Sequence, residues 1–298
     1  MENRNRHGQW LTYAAAMISV VLWAANLPAT RFIMQYYSFG SLALFRFVVA
    51  ALFLAAIAAK RNTPLPKKKD LPLIFLTGIA GVFLFTIFLN IGASMVVSGI
   101  ASFIINSSPI FALLFTLILT KERMNKWCWI GVLVSFAGLM AVMIVQTAEF
   151  SFNIGLVLLL IAGTVYGLYH VLSRILFKSY TFFQATIFSL IAGTIFFFIF
   201  TPDLIRDWQS GFPFYIHIIV VVMGILPAAV ANLSWGYALS TAEKTAHVTA
   251  FLYLTPFLAT LIGFLWMGET FSLWALLGGA VIVGGMILTN TLGKSKKE

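Results

Sequence analysis

Ten apolar stretches follow one another along the 298-residue chain, separated by short polar or proline-containing segments. A helix that crosses a bilayer needs about 20 apolar residues, and a window of about 19 residues identifies one such helix in each stretch. The predicted membrane helices are 12–34, 41–59, 71–91, 97–119, 127–145, 154–177, 182–200, 214–238, 245–267 and 273–292. We therefore predict an all-α membrane protein with ten transmembrane helices.

Composition excludes a soluble protein, since 61% of the residues are hydrophobic and only 9% are charged. A soluble domain carries about 25% charged residues. The formal charge of +10 would suit nucleic acid if the basic residues shared one folded face, but they form short clusters between the apolar stretches. The expected surroundings are a lipid bilayer, with a small-molecule substrate and no nucleic acid as partner.

The basic residues also predict the orientation of the chain. With both termini in the cytoplasm, Arg206 is the one Lys or Arg in an external loop, Arg31 and Arg46 fall within helices, and the others are cytoplasmic. Positive charge accumulates on the cytoplasmic side of membrane proteins. We therefore predict a multi-pass protein of the cytoplasmic (inner) membrane with both termini cytoplasmic, as a monomer or homodimer.

The N-terminus and the cysteine content narrow the possibilities further. Arg4 and Arg6 precede an apolar stretch, as in a signal peptide, but the stretch is too long and more helices follow, so we expect an uncleaved first helix. A single cysteine, Cys128, excludes an internal disulfide and a thiolate cluster. The four histidines are also scattered, so we expect no metal and no cofactor.

The second half of the chain repeats the first. At an offset of 147 residues, Pro109 matches Pro256 and Glu122 matches Glu269, and further identities include Trp127 with Trp274, Gly131 with Gly278 and Gly138 with Gly285. At an offset of 143 residues, Trp23, Asn26, Thr30 and Arg31 match Tyr166, Tyr169, Ser173 and Arg174. Because five helices per half is an odd number, the second copy must enter the membrane inverted. We predict two inverted five-helix repeats, 1–148 and 149–298.

Several of these motifs are similar to those of a known family. The segment 101–138, with Ser108-Pro109, Glu122-Arg123 and Trp127, resembles the drug/metabolite transporter superfamily, EamA type. The second copy, from Thr255-Pro256 through Gly268-Glu269-Thr270 to Gly284-Gly285, resembles it again, as does Leu22-Trp23-Ala24-Ala25-Asn26. The resemblance implies a ten-helix metabolite exporter or permease, with helices 1–4 and 6–9 around a central cavity and helices 5 and 10 at the periphery.

Polar side chains form stripes on four predicted helices, which the repeat relates in pairs. On helix 6, Tyr166, Tyr169 and His170 share one face, since residues three or four apart are neighbours on a helix. Polar groups facing lipid are unfavourable, so the stripes favour a shared cavity, although hydrogen bonds within and between helices would also explain them. The predicted substrate-binding residues are Trp23, Asn26, Ser102, Asn106, Tyr166, Tyr169, His170, Asn232, Trp235 and Tyr253.

Charged residues and prolines indicate where the cavity could open and close. Arg31 and Glu269 fall at the outer rim, and Arg174 and Glu122 at the inner rim, so each pair would join opposite repeats and close one gate. An alternative is that these residues only stabilise helix ends. Two further prolines, Pro109 and Pro256, are candidates for bending during transport.

The resulting hypothesis is a transporter that moves small organic metabolites by alternating access. By resemblance to the family, the leading substrates are amino acids or related amphipathic solutes, and export is the expected direction. No carboxylate lies near a helix centre, so facilitated diffusion is as compatible as proton coupling.

Two other readings stay open. One is a transporter of quaternary amines or drugs, lipid-linked sugars or nucleotide derivatives. The other is a membrane-embedded enzyme or scaffold, but an enzyme would need clustered reactive groups and a scaffold would not need matched stripes. Titratable groups within the spans have two interpretations each: His170 as a proton relay or a neutral cavity residue, and Arg46 as a carboxylate site or a side chain extended to the interface.

Overall fold

The computed structural model describes residues 2–120, 126–150, 153–241, 250–270 and 273–292, and in these ranges the regular secondary structure is helical. Six helices are long and apolar enough to cross a membrane, and four shorter apolar helices accompany them. The prediction of an all-α protein with ten membrane helices is confirmed.

The helices are numbered α1 to α10 in chain order. Three contain an irregular turn, and one is interrupted. They are α1 (Glu2–Ile33), α2 (Phe39–Lys60), α3 (Leu71–Gly78, Ile79–Leu84 and Phe85–Met95), α4 (Ser98–Ile105 and Ser108–Thr120), α5 (Lys126–Phe150), α6 (Ile154–Leu176), α7 (Phe182–Phe197, then Phe198–Phe200), α8 (Phe214–Ile225, Leu226–Val230 and Ala231–Thr241), α9 (Ala250–Leu254 and Thr255–Met267) and α10 (Leu273–Leu292).

Two predicted boundaries differ most from the observed ones. The external loop expected after the seventh helix contains a further short helix, Thr201–Gln209. The start of the ninth helix was placed at residue 245, and residues 245–249 lie outside the described ranges.

The irregular turns occur at equivalent places in the two repeats. The wide π-helical turns of α3 and α8 begin at Ile79 and Leu226, which are 147 residues apart. The continuous helix predicted over 97–119 is interrupted, because α4 restarts at Ser108, and α9 changes from a 3₁₀ turn to an α-helix at the equivalent Thr255. Each restart precedes a proline, whose missing N–H is tolerated in the first turn of a helix.

The contact between α5 and α10 shows that the repeats are inverted. A Cβ atom added to Gly138 would lie 2.7 Å from the Ile282 nitrogen and 2.8 Å from the Gly278 oxygen. A Cβ atom added to Gly285, which is equivalent to Gly138, would lie 2.5 Å from the Ser135 nitrogen and 2.6 Å from the Gly131 oxygen. Along this contact one helix number rises as the other falls, so the two helices are antiparallel and related by a two-fold axis.

Helix contacts elsewhere obey the same two-fold relation. The pair α1 and α8 corresponds to α6 and α3, the pair α1 and α9 to α6 and α4, and the pair α2 and α8 to α7 and α3. These contacts divide eight helices into a first group, α1, α2, α8 and α9, and a second group, α3, α4, α6 and α7. The groups meet at the self-related pairs α2 with α7 and α4 with α9.

One contact between the groups breaks the symmetry. We call the end of the molecule that carries the lysine-rich segment 61–70 the basic face, and the end where α1 meets α2 the far face. Near the far face, α1 packs on the last segment of α3, Phe85–Met95. Among the described residues, α6 makes no comparable contact with the equivalent segment of α8, Ala231–Thr241. The two groups are therefore closed together at the far face and further apart at the basic face.

Candidate functional site

A cavity of about 410 Å³ lies between the two groups of helices. Its volume is within the range of pockets that hold small molecules. Nine of the ten predicted substrate-binding residues lie along its wall, and the side chain of the tenth, Tyr253, is outside the described part of the structure. The nine are Trp23, Asn26, Ser102, Asn106, Tyr166, Tyr169, His170, Asn232 and Trp235.

Aromatic rings from the second group form one wall of the cavity. The Tyr166 ring stacks on Phe85 with 4.3 Å between centroids and on Tyr169 with 5.3 Å, and His170 meets the Tyr166 ring edge-on at 4.5 Å. Space for Tyr169 comes from Gly81 in the π-helical turn of α3, where an added Cβ atom would lie 2.0 Å from the Tyr169 ring. The irregular turn of α3 therefore shapes this wall directly.

The first group contributes the opposite wall. The rings of Trp23 on α1 and Trp235 on α8 contact each other with 5.5 Å between centroids. Paired aromatic rings of this kind present large apolar surfaces while keeping an N–H available for hydrogen bonding. The cavity thus has aromatic surfaces on both sides.

Two side-chain amides lie between these walls. Asn106 donates to the Ser102 carbonyl oxygen at 2.9 Å, and Asn232 donates to the Ala228 carbonyl oxygen at 3.0 Å. Both interpretations of the polar stripes therefore hold in part, because these amides bond to their own helices and also face the cavity. Asn106 lies at the interruption of α4, where freed backbone groups are tolerated next to a polar cavity.

Arg46 on α2 also lies along the cavity wall, and the sequence did not single it out as a binding residue. Its side chain does not extend to the membrane interface, since the residue is only 3% exposed. The Arg46 Nη1 donates to the Asn26 side-chain oxygen at 3.2 Å, and the guanidinium lies 5.0 Å from the centre of the Phe47 ring. Burial by the neighbouring helices prevents the extension that a position within a span otherwise suggests.

The far-face gate predicted from Arg31 and Glu269 is formed in this structure. The Arg31 Nη1 lies 2.6 Å from the Glu269 carboxylate, which also accepts hydrogen bonds from the Ser98 nitrogen and hydroxyl, both at 2.9 Å. Arg31 is in the first group of helices and Ser98 is in the second. Glu269 therefore links the two groups at the far face.

Two glycines allow Glu269 to reach this position. Gly268 ends α9 with φ +64°, a left-handed conformation that glycine adopts without strain. The chain then folds back, and the Glu269 carboxylate lies against Gly263, where an added Cβ atom would be 2.2 Å away. Both glycines follow from the requirement to place a carboxylate over the end of α9.

The basic-face gate is only partly described. Arg174 is exposed and lies along the cavity mouth with Phe177, whereas their repeat equivalents Arg31 and Met34 do not line the cavity. The predicted partner Glu122 lies outside the described residues. The cavity thus extends to the basic face and ends before the far face.

The two prolines predicted to bend during transport lie at helix starts rather than within helices. Pro256 is buried in the first turn of the second α9 segment, and Pro109 follows Ser108 in the equivalent segment of α4, although its side chain is outside the described part. Their role in transport stays a prediction. Over the described ranges, no cluster of three or more His, Cys, Asp or Glu side chains could hold a metal ion.

Comparisons with known proteins agree with this architecture. The model of the EamA-like transporter family matches the chain twice, over residues 10–144 and 153–291. A probable terminal-alkyne amino-acid exporter of Streptantibioticus cattleyicolor is 33% identical over 286 residues, which cover 95% of each chain. An uncharacterized transporter of Bacillus subtilis, YdfC, is 31% identical over 273 residues, or 91% of this chain and 88% of its own.

A solved crystal structure shares the fold. It superposes with a TM-score of 0.67 at 19% sequence identity, covering 95% of this chain and 99% of its own. The family match spans both repeats, and the cavity lies between them where the family resemblance placed it. The chain belongs to the EamA-like transporter family and is a membrane transporter.

Proposed function

We propose that this transporter exports amino acids and related amphipathic solutes by alternating access. The observation that carries the proposal is a cavity that is closed at the far face by Arg31, Glu269 and Ser98 and reaches the opposite face. Such a cavity loads solute from one side only. Rocking of the two helix groups about the two-fold axis would then expose it to the other side.

Charge distribution supports an orientation with the basic face in the cytoplasm. The segment 61–70 carries Arg61, Lys67, Lys68 and Lys69, and Lys60 precedes it. Cytoplasmic segments are enriched in such residues. In this orientation the structure represents the inward-open state, ready to take up a cytoplasmic solute.

The walls of the cavity suit an amphipathic solute. Rings of Tyr166, Trp23 and Trp235 can pack on an apolar or flat side chain, and Asn106, Asn232 and Arg46 can bind a polar head. The relative from Streptantibioticus cattleyicolor is named as a probable exporter of an amino acid with an apolar alkyne tail. The two arguments together favour amino-acid-like substrates.

Counterflow of labelled solutes in proteoliposomes tests this proposal. Vesicles preloaded with phenylalanine, leucine or a quaternary amine should accumulate the matching labelled solute when an amino acid is carried. Tyr166→Ala should reduce this signal, and Arg61→Gln, which changes an exposed side chain at the end of α2, should not. Counterflow of the quaternary amine but of neither amino acid would contradict the proposed substrate class.

We infer further that the solute crosses without chemical change. Mass spectrometry of the accumulated label should find the starting compound. A product of altered mass, formed only with the protein, would instead support the enzyme hypothesis.

A further inference from the structure

The cavity wall is positively charged. Arg46 lies deep in the cavity and Arg174 lies at its mouth, while no carboxylate from the described part of the chain lines it. The acidic side chains whose contacts are described lie at helix ends: Glu269 with Arg31, Asp203 with Arg206, and Asp207 with Arg206 and Ser41. The deep end of the cavity therefore favours an anion.

Arg46 is incompletely satisfied by the protein. Its Nε is buried without a hydrogen-bond partner, and its Nη1 has the neutral amide oxygen of Asn26 as acceptor at 3.2 Å. Arginine presents five N–H donors in a planar fork that matches the two oxygens of a carboxylate. A buried guanidinium without a counter-ion is unfavourable unless a bound group supplies the missing charge.

The repeat shows that this cation is a local departure from symmetry. Arg46 is equivalent to Ser189 on α7, which also lies along the cavity wall, so one side of the cavity has a guanidinium where the other has a hydroxyl. The backbone around Arg46 is fixed by close packing, since an added Cβ atom on Gly224 of α8 would lie 2.6 Å from the Arg46 oxygen. A rigid, asymmetric cation can orient a solute that enters from the basic face.

We propose that Arg46 binds the carboxylate of the transported solute and that an amino group is not recognised by charge. This inference rests on the proposed export of amino acids and adds which end of the solute the protein reads. The carboxylate would lie near Arg46 and Asn26 at the closed end, and the apolar part would lie between the rings of Tyr166 and Trp23. The substrate class is then a carboxylate with an apolar body, with or without an α-amino group.

Binding of chemically trimmed probes tests the assignment. Purified protein is titrated with phenylalanine, N-acetylphenylalanine and phenylalaninamide, and tryptophan fluorescence from Trp23 and Trp235 is followed. We expect the amide, which lacks the carboxylate, to bind about tenfold or more weakly than phenylalanine, as for a lost charge-assisted hydrogen bond. The N-acetyl compound should bind within about threefold of phenylalanine, since blocking the amine removes no ion pair.

Variants of Arg46 separate recognition from folding. Arg46→Gln should bind phenylalanine and phenylalaninamide with similar affinity, Arg46→Lys should keep part of the preference, and Arg61→Gln on the same helix should keep all of it. Monodispersity on gel filtration and unchanged affinity for the amide show that Arg46→Gln is folded. If Arg46→Gln misfolds, the wild-type and Arg46→Lys preferences decide the matter.

Each outcome bears on one of the two proposals. If wild-type protein binds phenylalanine but Arg46→Gln still prefers the acid to the amide, the assignment of Arg46 is wrong and amino-acid export stands. If N-acetylphenylalanine does not bind, recognition by carboxylate alone is wrong. If wild-type protein binds the amide and not the acid, both proposals are wrong.

Discussion

The Tyr180 hydroxyl donates a hydrogen bond of 2.8 Å to the Asp70 carboxylate, joining the end of α6 to the start of α3. The equivalent residues of the other repeat are Tyr37, 143 residues earlier, and His217, 147 residues later, and their side chains are also hydrogen bonded. This second pair joins the end of α1 to the start of α8. Each pair therefore fastens two helices of the same group, one pair at each face.

The chemistry of the two pairs differs although their positions agree. Burial, more than the nearby Asp207 carboxylate, raises the pKa of Tyr37 to about 12. The phenol therefore stays protonated at neutral pH and can donate to His217 Nδ1. At the other face, the Tyr180 hydroxyl is more exposed and also accepts a hydrogen bond from the Lys67 backbone at 2.9 Å. Because both pairs lie within a group, we expect them to persist throughout the transport cycle.

Tyr180→Phe should therefore weaken the fold without changing transport. The variant loses one hydrogen bond to a carboxylate, which contributes about 1 kcal/mol at a partly exposed site. For a protein of this size we expect a thermal unfolding midpoint about 2 °C lower, with counterflow per folded molecule unchanged. A change in transport rate without a change in midpoint would show that the pair opens during the cycle.

Substitution of the glycines between α5 and α10 should reveal their equivalence. Gly138→Ala and Gly285→Ala each place a methyl group less than 3.0 Å from backbone atoms of the partner helix, so both should lower the unfolding midpoint by similar amounts. Gly284→Ala is a matched control, because an added Cβ atom there has no atom within 4 Å among the described residues. Unequal effects of the two substitutions would contradict a two-fold contact.

Ser98 should matter for closure of the far face, and its neighbour Ser94 should not. Ser98→Ala removes a 2.9 Å hydrogen bond to Glu269, whereas Ser94→Ala removes only a bond within its own helix, to the Ile91 oxygen. A hydrogen bond to a charged group contributes about 1.5–3 kcal/mol. We expect Ser98→Ala to increase labelling of a cysteine at Gln35 by a membrane-impermeant maleimide, measured against Ser94→Ala. Equal labelling of both variants would exclude Ser98 from the gate.

Gly81→Ala should disturb the aromatic wall. The added methyl group would overlap the Tyr169 ring, which stacks on Tyr166, so the ring must move into the cavity or away from it. We expect phenylalanine to bind about tenfold more weakly, on the scale of one lost aromatic contact. Gly163→Ala on α6 is the control, since its nearest contact is an ordinary 3.4 Å. Unchanged affinity in Gly81→Ala would mean that solute does not contact Tyr169.

The sequence predicted the number of helices, the repeat and the positions of most cavity residues, because these follow from hydrophobic length and helical periodicity. The interruption of α4 before Ser108-Pro109 could have been predicted too, since a proline disfavours helix in the residue before it. The π-helical turns at Ile79 and Leu226 could not, because one inserted residue leaves an apolar stretch apolar.

Two features depend on tertiary structure and gave weaker sequence signals. Arg46 lies within a span at a depth from which an arginine can reach the interface, and only the packing of α8 shows that it is enclosed. The identity of Tyr37 with Tyr180 was present at the 143-residue offset, but each partner lies at the 147-residue offset. A search at a single offset therefore finds one residue of each pair.

Distances across both faces in one variant test the alternating-access account most directly. Spin labels are placed at Gln35 and Met95 for the far face, and at Trp10 and Lys178 for the basic face, in protein whose Cys128 has been replaced by Ser. Each pair spans the two helix groups, and all four side chains are exposed. Glu269→Gln should lengthen the Gln35–Met95 distance and shorten the Trp10–Lys178 distance. Both distances changing in the same direction, or neither changing, would contradict two groups that rock about a shared axis.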